Sequence, residues 1–127
     1  MAIRTELSVR LPNSPGALGR VCEALSEARV NLLAVHLESS GRLRAIVDNP
    51  LQGAGTLRER HYQVEERDVL YALVPNAPGA LAATARLLSD AGVNVEYAYG
   101  GAVEGTAMAA AVFGVTDAQR AASAAGL

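Results

Sequence analysis

One segment of this chain occurs twice at a single offset, and that duplication restricts the fold more than any other feature. Leu11-Pro12-Asn13-Ser14-Pro15-Gly16-Ala17-Leu18 returns 63 residues later as Val74-Pro75-Asn76-Ala77-Pro78-Gly79-Ala80-Leu81. Further along, Leu25, Ser26, Ala28, Val30 and Asn31 return at the same offset as Leu88, Ser89, Ala91, Val93 and Asn94. A shared P-N-x-P-G-A-L that stays in register is the mark of two copies of one structural unit. The expected modules are residues 1–68 and 69–127. A module of about 60 residues buries only ~60% of its unfolded surface. Packing between the modules, or between chains, is therefore expected.

Each copy reads in the same order. In the first, Thr5, Leu7, Val9 and Leu11 alternate with Arg4, Glu6, Ser8 and Arg10, the period of a strand. The Asn-x-Pro-Gly turn follows, where a proline can begin a helix without wasting a backbone donor. Leu18, Val21, Cys22 and Leu25 then fall at helical spacing, and Leu81, Thr84, Ala85 and Leu88 repeat that stripe. On this pattern Leu18, Val21, Leu25, Leu81, Ala85 and Leu88 are predicted to face the sheets. Two strands at Leu32–Glu38 and Arg42–Asp48 flank a Ser39-Ser40-Gly41 turn, and Asn49-Pro50 opens a second helix. Its counterpart begins with a capping-box pattern, Thr116 and Gln119. Tyr62–Arg67 is predicted as the closing strand of module one and Val69–Val74 as the opening strand of module two. The order strand-helix-strand-strand-helix-strand is ferredoxin-like, an α+β fold with both helices on one face of an antiparallel sheet. The second copy lacks the last strand. Val69, Tyr71 and Leu73 make both faces of its first strand apolar, so Tyr71 and Leu73 are expected to be shielded by module pairing and a homodimer.

Composition excludes several classes. The formal net charge is −2, and the 11 basic residues, all arginine, are scattered with no run to match a row of phosphates. No nucleic-acid partner is expected. Cys22 is the single cysteine and reads as a small buried hydrophobe, with no disulfide or thiolate cluster. Neither an apolar leader nor a membrane-length apolar run is present, so a cytoplasmic location and no membrane partner are expected. His36 and His61 are not in a ligand-spaced pair, and no G-x-S-x-G, Walker loop or paired carboxylates stand out. The chain is expected not to be an enzyme and to carry no cofactor or metal.

The run of an apolar strand, N-x-P-G-x-L, an amphipathic helix and V-N-apolar resembles the ACT regulatory-domain family. Both copies match it, from Asn13 through Val30-Asn31-Leu32 and from Asn76 through Val93-Asn94-Val95. The run Val93–Tyr99 is similar to the second repeat of small stand-alone bacterial tandem-ACT proteins. The resemblance implies two tandem ferredoxin-like (βαββαβ) ACT modules that bind a small free amino acid where modules pair, and a partner enzyme of amino-acid metabolism. It also implies ligand-binding roles for Asn13, Pro15, Gly16, Ala17, Leu18 and Asn31, and for Asn76, Pro78, Gly79, Ala80, Leu81 and Asn94. Asn31 and Asn94 would lie near the turns. The chemistry suits a zwitterion: a helix N-terminus offers free N–H groups to a carboxylate, and an Asn amide both donates and accepts. The plainer reading is that Asn-x-Pro-Gly makes a turn and nothing more. The Asn76–Leu81 loop is slightly favoured, because more apolar surface lies beside it. Two alternatives remain: a ligand-free interaction module acting through its sheets, and a metal-responsive ferredoxin-like sensor using His36.

Overall fold

The computed structural model describes residues 1–126. Its elements are β1 (Ala2–Arg10), α1 (Ala17–Glu27), β2 (Leu32–Leu37), β3 (Arg42–Val47), α2 (Pro50–Glu59), β4 (Glu65–Pro75), α3 (Ala80–Asp90), β5 (Tyr97–Gly101), β6 (Met108–Gly114) and α4 (Ala118–Ala124). The fold is α+β, with antiparallel strand pairing and the βαββα order in each copy. Two compact units result. One is Thr5–Arg67; the other joins Met1–Arg4 to the residues from Asp68 onward.

In the first unit the strand order is β2-β3-β1. Leu7 stands opposite Ala45 and Val9 opposite Leu43, so the apolar members of each alternation share a face. They form a core with Val21, Ala24 and Leu25 of α1 and Ala54 and Leu57 of α2. Asn49 caps α2 by accepting from the Gln52 N–H at 3.1 Å, and Pro50 occupies its first turn, where a missing donor costs nothing.

The second unit repeats this as β4-β6-β5. Leu70, Ala72 and Val74 of β4 join Ala111 and Phe113 of β6, Leu88 of α3, and Ala118, Ala121 and Ala122 of α4. Val9 pairs with Leu43 and Ala72 with Ala111, so the copies run 63 residues apart before the hairpin and 68 after it. The difference is a longer hairpin between β5 and β6. Met1 packs against this second core, and the Arg4 guanidinium lies 5.0 Å from the centre of the Tyr71 ring.

Several expectations need correction. The two strands expected at Tyr62–Arg67 and Val69–Val74 are one continuous strand, because Glu65-Glu66-Arg67-Asp68 holds no glycine or proline to break extension. In α1 Val21 and Leu25 are buried as predicted, but Ala17 and Ala24 complete the stripe, which leaves Leu18 39% exposed. In α3 only Leu88 is fully buried; Leu81 is 54% exposed and Ala85 is also exposed. Leu25 and Leu88 stay in the buried faces of their helices, while Leu18 and Leu81 lie on the flank. Within the single chain Tyr71 is partly covered and Leu73 is 63% exposed, which leaves the shielding of Leu73 to the expected second copy. The cap of α4 is Asp117, whose Oδ1 accepts from the Arg120 N–H at 3.0 Å. Thr116 instead donates its hydroxyl to Glu96 at 3.1 Å.

Candidate functional site

The repeated Pro-Gly pair forms the same turn twice. Gly16 has φ 86° and ψ −7°, Gly79 φ 86° and ψ −11°, the third position of a type II turn. The turns close through Ala17 N–H to Ser14 O and Ala80 N–H to Ala77 O, both 3.3 Å. Proline sets the second position and only glycine takes the third without strain. Pro15 and Pro78 therefore precede the helices and do not begin them.

In the first unit this turn borders a cleft of about 350 Å³, lined by Asn13, Gly16, Ala17 and Leu18, with Leu37, Glu38 and Ser39 from the β2–β3 hairpin. Pro15 does not line it. The Asn13 amide has no hydrogen-bond partner among the described residues. Glu38 supplies a carboxylate at the rim, which also meets Arg44 Nε at 3.4 Å. The cleft thus offers an amide that both donates and accepts, an acidic group and the flank of a leucine.

The second turn is built differently. The Asn76 amide donates to Thr106 O at 2.9 Å and Val103 O at 3.3 Å, which pins the long hairpin. Beside it lies an apolar cleft of about 470 Å³ lined by Val74, Leu81, Ala85, Val95, Ala98 and Phe113. Its space follows from small residues: Gly100 stands where the first copy has Leu37, Ala98 where it has Val35, and Ala85 where it has Cys22. Leu81 lines this cleft; Asn76, Pro78, Gly79 and Ala80 do not.

Asn31 and Asn94 sit elsewhere. Each lies beyond the C-terminal end of an 11-residue helix, about 16 Å along its axis from the turn. The Asn31 N–H donates to Asp48 Oδ1 at 2.9 Å, and its carbonyl accepts from the Asp48 N–H at 3.0 Å. Asn31 borders a shallow depression with Cys22, Ser26 and Arg29. Asn94 lines a separate cleft of about 470 Å³ with Gly92, Thr116, Asp117 and Arg120. Within each unit the structure therefore joins Asn13 with Gly16, Ala17 and Leu18 but does not bring Asn31 or Asn94 to the turns. Sequence reading missed Glu38 and Arg120. Glu38 becomes legible only once the hairpin closes over the turn, and Arg120 only when the copies are aligned at the second offset. Among the described residues no three His, Cys, Asp or Glu side chains are placed to hold a metal ion, and no helix is long and apolar enough to cross a membrane.

A duplicated βαββα chain with a Pro-Gly turn before the first helix of each copy is the architecture of paired ACT domains. A family model described as an ACT domain pair matches residues 1–124, and the chain belongs to that family. Among solved structures, a protein of Bacteroides thetaiotaomicron is 32% identical, with a TM-score of 0.86 over 96% of this chain and 85% of the other. The regulatory subunit of aspartate kinase from Thermus thermophilus has a similar fold at 16% identity, with a TM-score of 0.71 over 98% of this chain and 92% of that one. The corresponding subunit from Thermus flavus, also 16% identical, gives 0.64 over 98% and 94%. Among curated proteins none matches the chain in sequence.

Proposed function

We propose that this ACT domain pair is a non-catalytic regulatory protein that binds a small free amino acid at the Asn13–Leu18 turn and conveys that binding to a partner enzyme. The observation that carries the reading is the uncommitted Asn13 amide in the first-unit cleft, where its counterpart Asn76 is spent on the hairpin. The carboxylate of the ligand would take the Asn13 amide hydrogens and the N–H groups opening α1; the ammonium would take Glu38; an aliphatic side chain would lie on Leu18. The preference thereby moves from the second copy's loop to the first. The described role of the similar-fold Thermus proteins as regulatory subunits supports the coupling to an enzyme. Apolar side chains exposed on β2, an outer strand of its unit, support association with a second copy of the chain.

The test is a thermal-shift screen against the proteinogenic amino acids, with divalent metals as a separate arm. A one-site ligand at 100 times its dissociation constant adds ~2.7 kcal/mol, a rise on the order of 10 °C for a chain of this size. Asn13→Ala is expected to shrink that rise, whereas Asn76→Ala is expected to lower the melting point with and without ligand and leave the rise itself in place. A melt that no amino acid shifts refutes the reading; a shift by metal alone turns attention to His36. Sedimentation at tens of micromolar reads the association.

A further inference from the structure

We infer that the cleft at the far end of α3 is a second small-molecule site, which takes a zwitterion with its carboxylate on Arg120 and its ammonium on Asp117. The comparison that points there lies within the chain. In the first copy the equivalent space is bridged. Asn31 and Asp48 exchange the two hydrogen bonds already described, and Gln52 Nε2 donates across the gap to Ala28 O at 3.0 Å. In the second copy Asn31 and Ala28 return as Asn94 and Ala91, but the Asp48 and Gln52 side chains that bridge to them are replaced. Thr116 stands in the place of Asp48 and is turned to Glu96, and neither Asn31 bond has a counterpart at Asn94. Strand β5 begins only at Tyr97, although the counterpart of Leu32, where β2 begins, is Val95. Arg120 occupies the Gln52 position. The result is the open cleft of about 470 Å³.

Its charges are arranged for a ligand that carries both signs. Arg120 is exposed, and its guanidinium meets no carboxylate among the described residues. Asp117 lies three residues before it and forms no ion pair with it; only Oδ1 is engaged, by the Arg120 backbone N–H. A cation and an anion that line one cleft without neutralising each other leave it formally uncharged. A simple anion would gain Arg120 and be opposed by Asp117. A zwitterion satisfies both, with the planar guanidinium gripping the carboxylate through two parallel bonds and the Asn94 amide able to bind either group. This site shares no residue with the Asn13 cleft, so the two readings stand or fall separately.

The experiment follows backbone amide resonances of the ¹⁵N-labelled full chain during titration with glycine, alanine and serine, and with propionate and ethylamine as half-ligands. The expected result is a shift of residues 92–94 and 115–121 by an amino acid, with propionate and ethylamine each binding more weakly at those amides. Arg120→Gln, which installs the first copy's residue on an exposed position, is expected to weaken binding roughly 10- to 100-fold, the loss of one charged hydrogen-bonded pair. Asp117→Asn keeps a good helix cap and is expected to weaken the amino acid but not propionate. Asn13→Ala is expected to leave these shifts unchanged while weakening any at residues 12–19. Unshifted amides at 92–94 and 115–121 at millimolar amino acid, an Arg120→Gln variant that binds as tightly, or propionate that binds as well as alanine would each overturn the proposal.

Discussion

Replacing Gly79 by alanine separates turn strain from every other role of the repeated motif. The backbone there sits at φ +86°, and a Cβ built on it meets nothing within 4 Å. Only the left-handed conformation resists an L-residue, at about 1–2 kcal/mol. Gly41 has nearly the same angle, φ +95°, but its Cβ would stand 2.4 Å from the Leu11 carbonyl oxygen. The Leu11 N–H also donates to Gly41 O at 2.7 Å, so the hairpin cannot move away without losing that bond. The backbone term is thus common to both sites, and Gly41→Ala should lose a further ~1–3 kcal/mol from overlap. Urea denaturation reads the difference as midpoints at constant slope. In melting temperature, Gly79→Ala should fall by about 3–6 °C per kcal/mol. Gly79→Asn should recover part of the loss, because asparagine tolerates this region better. Equal losses at Gly79 and Gly41, or an Asn variant no better than Ala, would refute the argument from strain.

Two further contrasts test the packing and the charges. Leu25→Ala removes a fully buried side chain and should cost about 2–5 kcal/mol, whereas Leu81→Ala, at a half-exposed position, should cost under ~1 kcal/mol; denaturant midpoints compare them directly. Glu6 is fully buried and lies 3.5 Å from Arg44, so Glu6→Ala removes a charged hydrogen-bonded partner and should cost about 1.5–3 kcal/mol, with Arg44 still held by Glu38. Glu38→Ala breaks the exposed arm of the same cluster and should cost under ~1 kcal/mol. A Glu38 variant as damaged as the Glu6 variant would contradict that ordering.

How much could be read in advance differs with the range of the interaction. The alternation Leu7-Val9-Leu11 and the Pro-Gly turns are local, since each depends on residues within a few positions along the chain, and the duplication shows on direct comparison of the two segments. The α+β fold with paired βαββα order, and the ACT resemblance, followed from them. The phase of the helix stripe did not. Leu18 and Ala17 point about 100° apart around the helix axis, and hydropathy favours leucine as the buried one. Ala17 shares the buried face with Val21, Ala24 and Leu25 while Leu18 falls outside it, and that orientation is set by strands far away in sequence. The candidate site divides the same way. The sequence by itself determined that the motif would turn at Gly16 and Gly79, because chirality forbids most other residues at that angle. Only the tertiary structure decided that Asn76 is consumed by the long hairpin while Asn13 is not, and that Asn31 is bound to Asp48 at the far end of its helix. Hairpin length and the start of β5 settle these outcomes. Both depend on which distant groups find each other, and a polar side chain is committed or left open only by the partner that reaches it.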